Sequence, residues 1–213
     1  MSKTRAYITT SADGFVAGPR QSRENPLGEG AGGLHDWAFR LRAFRRIHGE
    51  VGGDEGPSND FTEEAIAGVG AEIMGRNMFG GGPGAWDPVD PWNGWWGDEP
   101  PFHMPVFVLT HHDRRPLTLS DTTFTFVTDG IDSALEQARD AAGGADVTIG
   151  GGAEAINQYL AASLVDRLDV NVVPLILGSG ARLFDGVGPD IELEQTSVVE
   201  GSGVTHIRYA VRS

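Results

Sequence analysis

Residues 147–156 read VTIGGGAEAI: a β-branched run, Val147-Thr148-Ile149, meets three consecutive glycines and then a helix-forming stretch that opens at Ala153. A strand that turns through glycines into a helix start presents free N–H groups at the positive end of the helix dipole. With no Cβ at Gly150, Gly151 or Gly152, an anion can touch backbone, which is chemistry suited to phosphate. The competing reading is a tight turn in which glycine supplies positive φ and nothing binds. Three glycines in succession after a strand favour the phosphate site. A P-loop is excluded, because no Gly-Lys-Ser/Thr follows.

The turn also fits G-x-G-x-x-A through Gly150, Gly152 and Ala155, with Asp169 at a spacing suited to a ribose hydroxyl. That fingerprint usually opens its fold, whereas here most strand-like segments precede it. Two other strand ends point to a different dinucleotide architecture. IMGRNMF places Gly75 and Arg76 after one apolar run, and VFVLTHH places Thr110 and His111 after another. Ligands of parallel sheets sit beyond the carboxyl ends of the strands. An arginine, a hydroxyl and an imidazole from two such ends, with glycines from a third, suit an adenosine 2′-phosphate and a pyrophosphate.

Charge narrows the partners. The net charge is −14, from 16 basic and 30 acidic residues among 213. Such a surface repels nucleic-acid phosphates and anionic lipid, so neither nucleic acid nor membrane is an expected partner. One gathering of basic groups is THHDRRP, from Thr110 to Pro116, with Arg76 earlier on, where the phosphates of an anionic cofactor would sit. The chain has no cysteine, which removes thiolate catalysis and thiolate metal sites. His103, His111 and His112 lack ligand-spaced carboxylates, and no metal is expected. MSKTRAYITT runs directly into a strand pattern with no apolar signal core, so a cytoplasmic location is expected.

The elements that must position these groups alternate. Strand patterns cover RAYITT (5–10), AEIMGR (71–76), PVFVLT (105–110), FTFVT (124–128), 146–149 and 165–178. Helices are predicted from Asp36 over roughly three turns, at DFTEEAIAGV with Asp60 or Thr62 as cap, at 130–144 capped by Asp132 or Ser133, and at 153–162. The tail holds two alternating strands joined at Gly201-Ser202-Gly203, an antiparallel hairpin. This pattern predicts one α/β domain over 1–213 with a mainly parallel sheet. A flexible insertion is expected at about 19–60 and a Trp/Pro/Gly-rich loop at about 80–104. The latter holds Trp86, Trp92, Trp95 and Trp96, which either pin the loop to the body or stack a flat substrate. An exposed tryptophan loop and a paired edge strand make a homodimer an expectation.

Taken in order, TTSADGFVAG, IMGRNMF, PVFVLTHH, VTIGGGAEAINQYL and LVDRLDVNVVPLILGSGARLFDG resemble the dihydrofolate-reductase-like family. The resemblance is to the group related to the reductase domain of the riboflavin-biosynthesis deaminase–reductase, from about Arg5 to Arg212. It implies a three-layer sheet of about eight strands with helices on both faces, and an NADPH-dependent reductase of a small pterin- or pyrimidine-like heterocycle or a carbonyl compound. It assigns Gly75, Arg76, Thr110 and His111 to the adenosine-phosphate end of NADPH, and Gly150, Gly151, Gly152 and Ala153 to its pyrophosphate. The first strand near Ala6–Ile8 would lie against the nicotinamide. Asp13, in the matching Ser-x-Asp-Gly stretch, becomes a candidate substrate contact, and Asp36 on the first helix a candidate proton donor. The riboflavin-pathway reductases carry a lysine where Tyr7 stands and a carboxylate where Gly150 stands, both of which help hold their phosphoribosyl substrate. Two other readings therefore stay open: a pyrimidine reductase of that pathway, and a non-catalytic dinucleotide-binding protein.

Overall fold

The computed structural model describes residues 2–212. Deep within its sheet lies β1 (Thr4–Ser11), whose core-facing residues, including Ala6, are flanked by β7 (Asp146–Gly151) and β8 (Arg167–Val173), both parallel to it. Ala6 pairs with Ile149 on one side and Leu168 on the other, and all three are fully buried. Beyond β7 the parallel run continues through β3 (Val69–Gly75), β4 (Pro105–Leu109) and β6 (Thr122–Val127). The antiparallel β5 (Leu117–Leu119) closes that edge. On the far side of β8 the hairpin β10 (Glu192–Gly201) and β11 (Val204–Arg212) closes the other, giving nine strands. A two-stranded ribbon of β2 (Phe15–Ala17) and β9 (Ala181–Arg182) stands apart.

Alternation along the strands gives the sheet two faces. One carries α5 (Ile131–Ala142) and α6 (Ala153–Ala161), whose Ala134, Leu135, Ala138, Ile156 and Leu160 bury against Ala71, Ile73, Val147 and Ile149. The other face is covered by two separate lobes. Leu34, Trp37, Ala38 and Leu41 pack over the β8–β11 side with Val173 and Val204, while Phe79 packs on Met74, Val106, Val108, Phe124 and Phe126 over β3, β4 and β6. Between them Tyr7, Glu72, Thr148 and Gly150 stay partly exposed, a strip of this face that neither lobe covers fully.

Several boundaries differ from the sequence reading. The helix expected to run unbroken from Asp36 is two pieces, α1 (Asp36–Phe39) and α2 (Arg42–Ile47). Leu41 is extended between them because the chain at Asp54 inserts: Asp54 N–H donates to the Arg40 carbonyl at 2.7 Å, and Arg42 N–H to the Asp54 carbonyl at 3.0 Å. The next helix, α3 (Pro57–Ile66), starts before Asp60 and Thr62, since Pro57 supplies a preset φ at the first helical position after Gly56. Likewise α5 is capped by Gly130 rather than by Asp132 or Ser133. β8 stops at Val173, because Pro174 has no N–H for the ladder.

Candidate active site

β3, β4 and β7 are parallel neighbours, so their carboxyl ends emerge at one edge of the sheet. Gly75 ends β3 against the glycine turn: a Cβ there would lie 3.4 Å from Ala155 Cβ and 3.7 Å from the Gly151 carbonyl oxygen. Arg76 then opens the short helix α4 (Arg76–Phe79) and turns toward the end of β4. Its Nη1 donates to Thr110 Oγ1 at 3.4 Å, its Nε donates to the Gly80 carbonyl at 3.0 Å, and its guanidinium lies over the Trp86 ring at 3.2 Å. The Arg114 guanidinium stands 5.0 Å from the same ring. Burial first, and the neighbouring Arg114 charge second, lower the Arg76 pKa to about 10. Arg76 Nη2 is buried with no hydrogen-bond partner among the described residues. Two cations and an orphaned donor leave a local electrostatic deficit that an anion would fill.

The three glycines are glycine for three different reasons. A Cβ on Gly150 would collide with the carboxyl of Glu72 on β3. Gly151 has φ 135°, a conformation closed to residues with a side chain. Gly152 has nothing within 4 Å of where its Cβ would be, and it caps α6 with no side chain bonded to the helix N–H groups. The Gly151–Gly152 peptide is cis. Protein packing thus accounts for the first two positions, and open space with free N–H groups remains at the third. Ala153 behind it is buried in the core.

Thr110 is also buried; its N–H donates to the Val127 carbonyl at 3.0 Å and its Oγ1 accepts from His112 N–H at 3.2 Å. His111 is exposed on the rim. Gly75, Arg76, Thr110 and the glycine turn are therefore brought together at one edge.

The two carboxylates stand elsewhere. Asp13 accepts from Ser11 Oγ at 2.6 Å, Leu177 N–H at 3.1 Å and Gly178 N–H at 2.7 Å, tying the turn after β1 to the segment after β8. The Ser11 hydroxyl is the main reason its pKa falls to about 2, so it stays ionised. Asp36 is exposed and lines a cavity of about 240 Å³ with Trp37, Arg40, Val173 and the hairpin turn at Ser202-Gly203, to which none of the glycine-turn residues contributes. Asp169, spaced for a ribose contact, is instead buried under the sheet, accepting from Arg167 Nε at 2.9 Å and Arg208 Nε at 2.8 Å. The tryptophans pin their loop: Trp86 Nε1 donates to the His112 carbonyl at 2.8 Å, Trp92 to Phe79 at 2.8 Å and Trp95 to Met78 at 3.0 Å. Among the described residues no group of three His, Cys, Asp or Glu side chains could hold a metal, and no helix is long and apolar enough to cross a membrane.

Sequence reasoning missed Glu72. The signal was present, an acidic residue between Ala71 and Ile73 in an otherwise apolar buried strand.

A mainly parallel sheet with an antiparallel C-terminal hairpin and helices on both faces is a dihydrofolate-reductase-like α/β fold. Residues 3–207 match the family model described as the RibD C-terminal domain, and the chain belongs to that family. It is 26% identical over 210 residues to the uncharacterized protein YwjB of Bacillus subtilis (strain 168), covering 97% of each. Among solved structures it is similar to a protein of Shewanella sp. PV-4 named for riboflavin biosynthesis, with 20% identity, a TM-score of 0.62 and 99% of both chains covered. It is also similar to dihydrofolate reductase from Enterococcus faecalis complexed with NADP(H), with 13% identity, a TM-score of 0.53, and 99% of this chain and 97% of that one covered.

Proposed function

We propose that the protein is an NADPH-dependent oxidoreductase that reduces a small pterin- or pyrimidine-like heterocycle or a carbonyl compound. The observation that carries this reading is the Arg76 guanidinium, joined to Thr110, flanked by Arg114 and left with an unsatisfied buried Nη2 at the carboxyl edge of the sheet. These residues fit the cofactor. Arg76, Arg114 and Thr110 would hold the adenosine 2′-phosphate with His111 at the rim, and Gly151, Gly152 and the Ala153 N–H would hold the pyrophosphate. When bound, NADPH supplies hydride. The chain's part is to neutralise the phosphates, fix the cofactor along the sheet edge and orient the substrate in the strip between the lobes.

Asp13 acts in this reading as an ionised clamp on the loop bordering the cleft, and Asp36 as an exposed carboxylate near its mouth. Family membership supports a second reading, a pyrimidine reductase of riboflavin biosynthesis. Tyr7 and Gly150 weigh against it, because neither provides a charge to hold a phosphoribosyl group.

The test is Arg76→Ala. Binding of NADPH is expected to weaken at least about tenfold, with NADH little affected, since a charge-assisted phosphate contact is lost. An unchanged preference for NADPH over NADH contradicts the reading.

A further inference from the structure

Within the strip between the two lobes stands a carboxyl for which the described residues provide no hydrogen-bond partner. Glu72 sits midway along β3, with Thr148 of β7 and Val106 of β4 as its register neighbours, and it remains partly exposed. Ala71 and Ile73 on either side of it face the α5–α6 core, so Glu72 projects from the opposite face. There its carboxyl fills the volume that a side chain at Gly150 would take, near Met78 of α4. Tyr7 stands beside Gly150, one position beyond the Ala6–Ile149 pair.

No cation offsets this acid. Arg5, on the same face of β1, is committed to Asp146 of β7 and to the Ala67 carbonyl at 3.0 Å. Arg76 of α4 reaches the other way, to Thr110. Burial alone pushes the Glu72 carboxyl up to about 8, so it carries its proton at neutral pH and presents an O–H donor beside a C=O acceptor. The Tyr7 hydroxyl, 3.3 Å from Thr62 Oγ1 and pushed up to about 12 by burial, is neutral as well. Around the Glu72 carboxyl the strip thus offers hydrogen bonding and no positive charge.

A half-buried carboxyl with no protein partner costs stability, and a leucine would suit β3 better. We propose that Glu72 is the substrate-recognising residue of the cleft and binds the amino-substituted ring edge of an unphosphorylated pterin- or pyrimidine-like compound, where a ring nitrogen accepts and an amino group donates. This rests on the reductase reading above for what lies beside the substrate.

Pterin serves as the probe, its fluorescence titrated at neutral pH with and without NADPH. The wild type binds pterin, and uridine 5′-monophosphate fails to displace it. Glu72→Leu weakens pterin at least about tenfold while raising Tm by roughly a few degrees, because an unsatisfied polar group has gone. Glu72→Gln, whose amide presents the same donor and acceptor, stays within about threefold of wild type. The double variant E72G/G150E returns a carboxyl to the same volume from β7 and recovers the binding lost in Glu72→Leu. Unchanged pterin affinity in Glu72→Leu, a lowered Tm in that variant, or displacement by uridine 5′-monophosphate overturns the proposal. NADPH titrated against each protein separates the two readings. An affinity that Glu72→Leu leaves intact confines any failure to Glu72, whereas a wild type that binds no NADPH removes the cofactor reading itself.

Discussion

Gly150 and Gly152 lie two positions apart in one turn, yet a methyl group added to each meets different surroundings. At Gly150 it runs into the end of the Glu72 side chain, and at Gly152 it enters open space. Gly152 also has an ordinary extended conformation, φ −72°, that alanine adopts freely. Gly150→Ala is therefore expected to cost about 1–2 kcal/mol in chemical denaturation, as Glu72 is forced aside. Gly152→Ala should leave stability within about 0.5 kcal/mol and, on the proposed function, weaken NADPH binding, since its Cβ would enter the open space proposed for the pyrophosphate. Equal stability losses with no change in NADPH affinity would mean that both glycines serve only the turn. The glycine triplet was legible in the sequence. The reason for its first member was not, because Glu72 belongs to a strand far away along the chain, and only sheet pairing brings the two together.

The elements divide the same way. β1, β4, β6 and β7 announce themselves as β-branched or aromatic runs, and α5 as an amphipathic stretch stopped by Gly143 in the left-handed conformation. Local pattern suffices wherever one strand or helix face is buried along its whole length. It fails at Leu41, where the break is made by backbone bonds to Asp54, and at β5, which is too short to show a period. Asp169 shows the limit of spacing arguments: placed as if for a ribose, it instead ties β8 to β11 by pairing Arg167 and Arg208. With the carboxylate almost wholly buried and each arginine also bonded to the Glu64 region of α3, the cluster fastens that helix to the sheet. Asp169→Asn should leave two partly buried cations undercompensated and lower stability by about 3 kcal/mol. NADPH affinity should hold, because no residue of the glycine turn touches this cluster. A loss of cofactor binding without loss of stability would restore the ribose role.

Across the whole molecule, a net charge of −14 makes the gathering of Arg76 and Arg114 over Trp86 at one sheet edge a local reversal of sign. An acidic protein slows the approach of an anionic dinucleotide, so in the proposed reading the affinity would come from that edge. Trp86 lies directly beneath the Arg76 guanidinium, which makes the tryptophans natural reporters of its occupation. The most direct measurement is a titration of the purified protein with NADPH and with NADH, following quenching of its five tryptophans. Saturable binding of NADPH at least about tenfold tighter than NADH is the predicted result, the difference being the 2′-phosphate held by Arg76 and its neighbours. Equal affinity for the two, or no binding of either, would contradict the account: the glycine turn would then be a turn alone, and the likeness to the reductases one of fold without function.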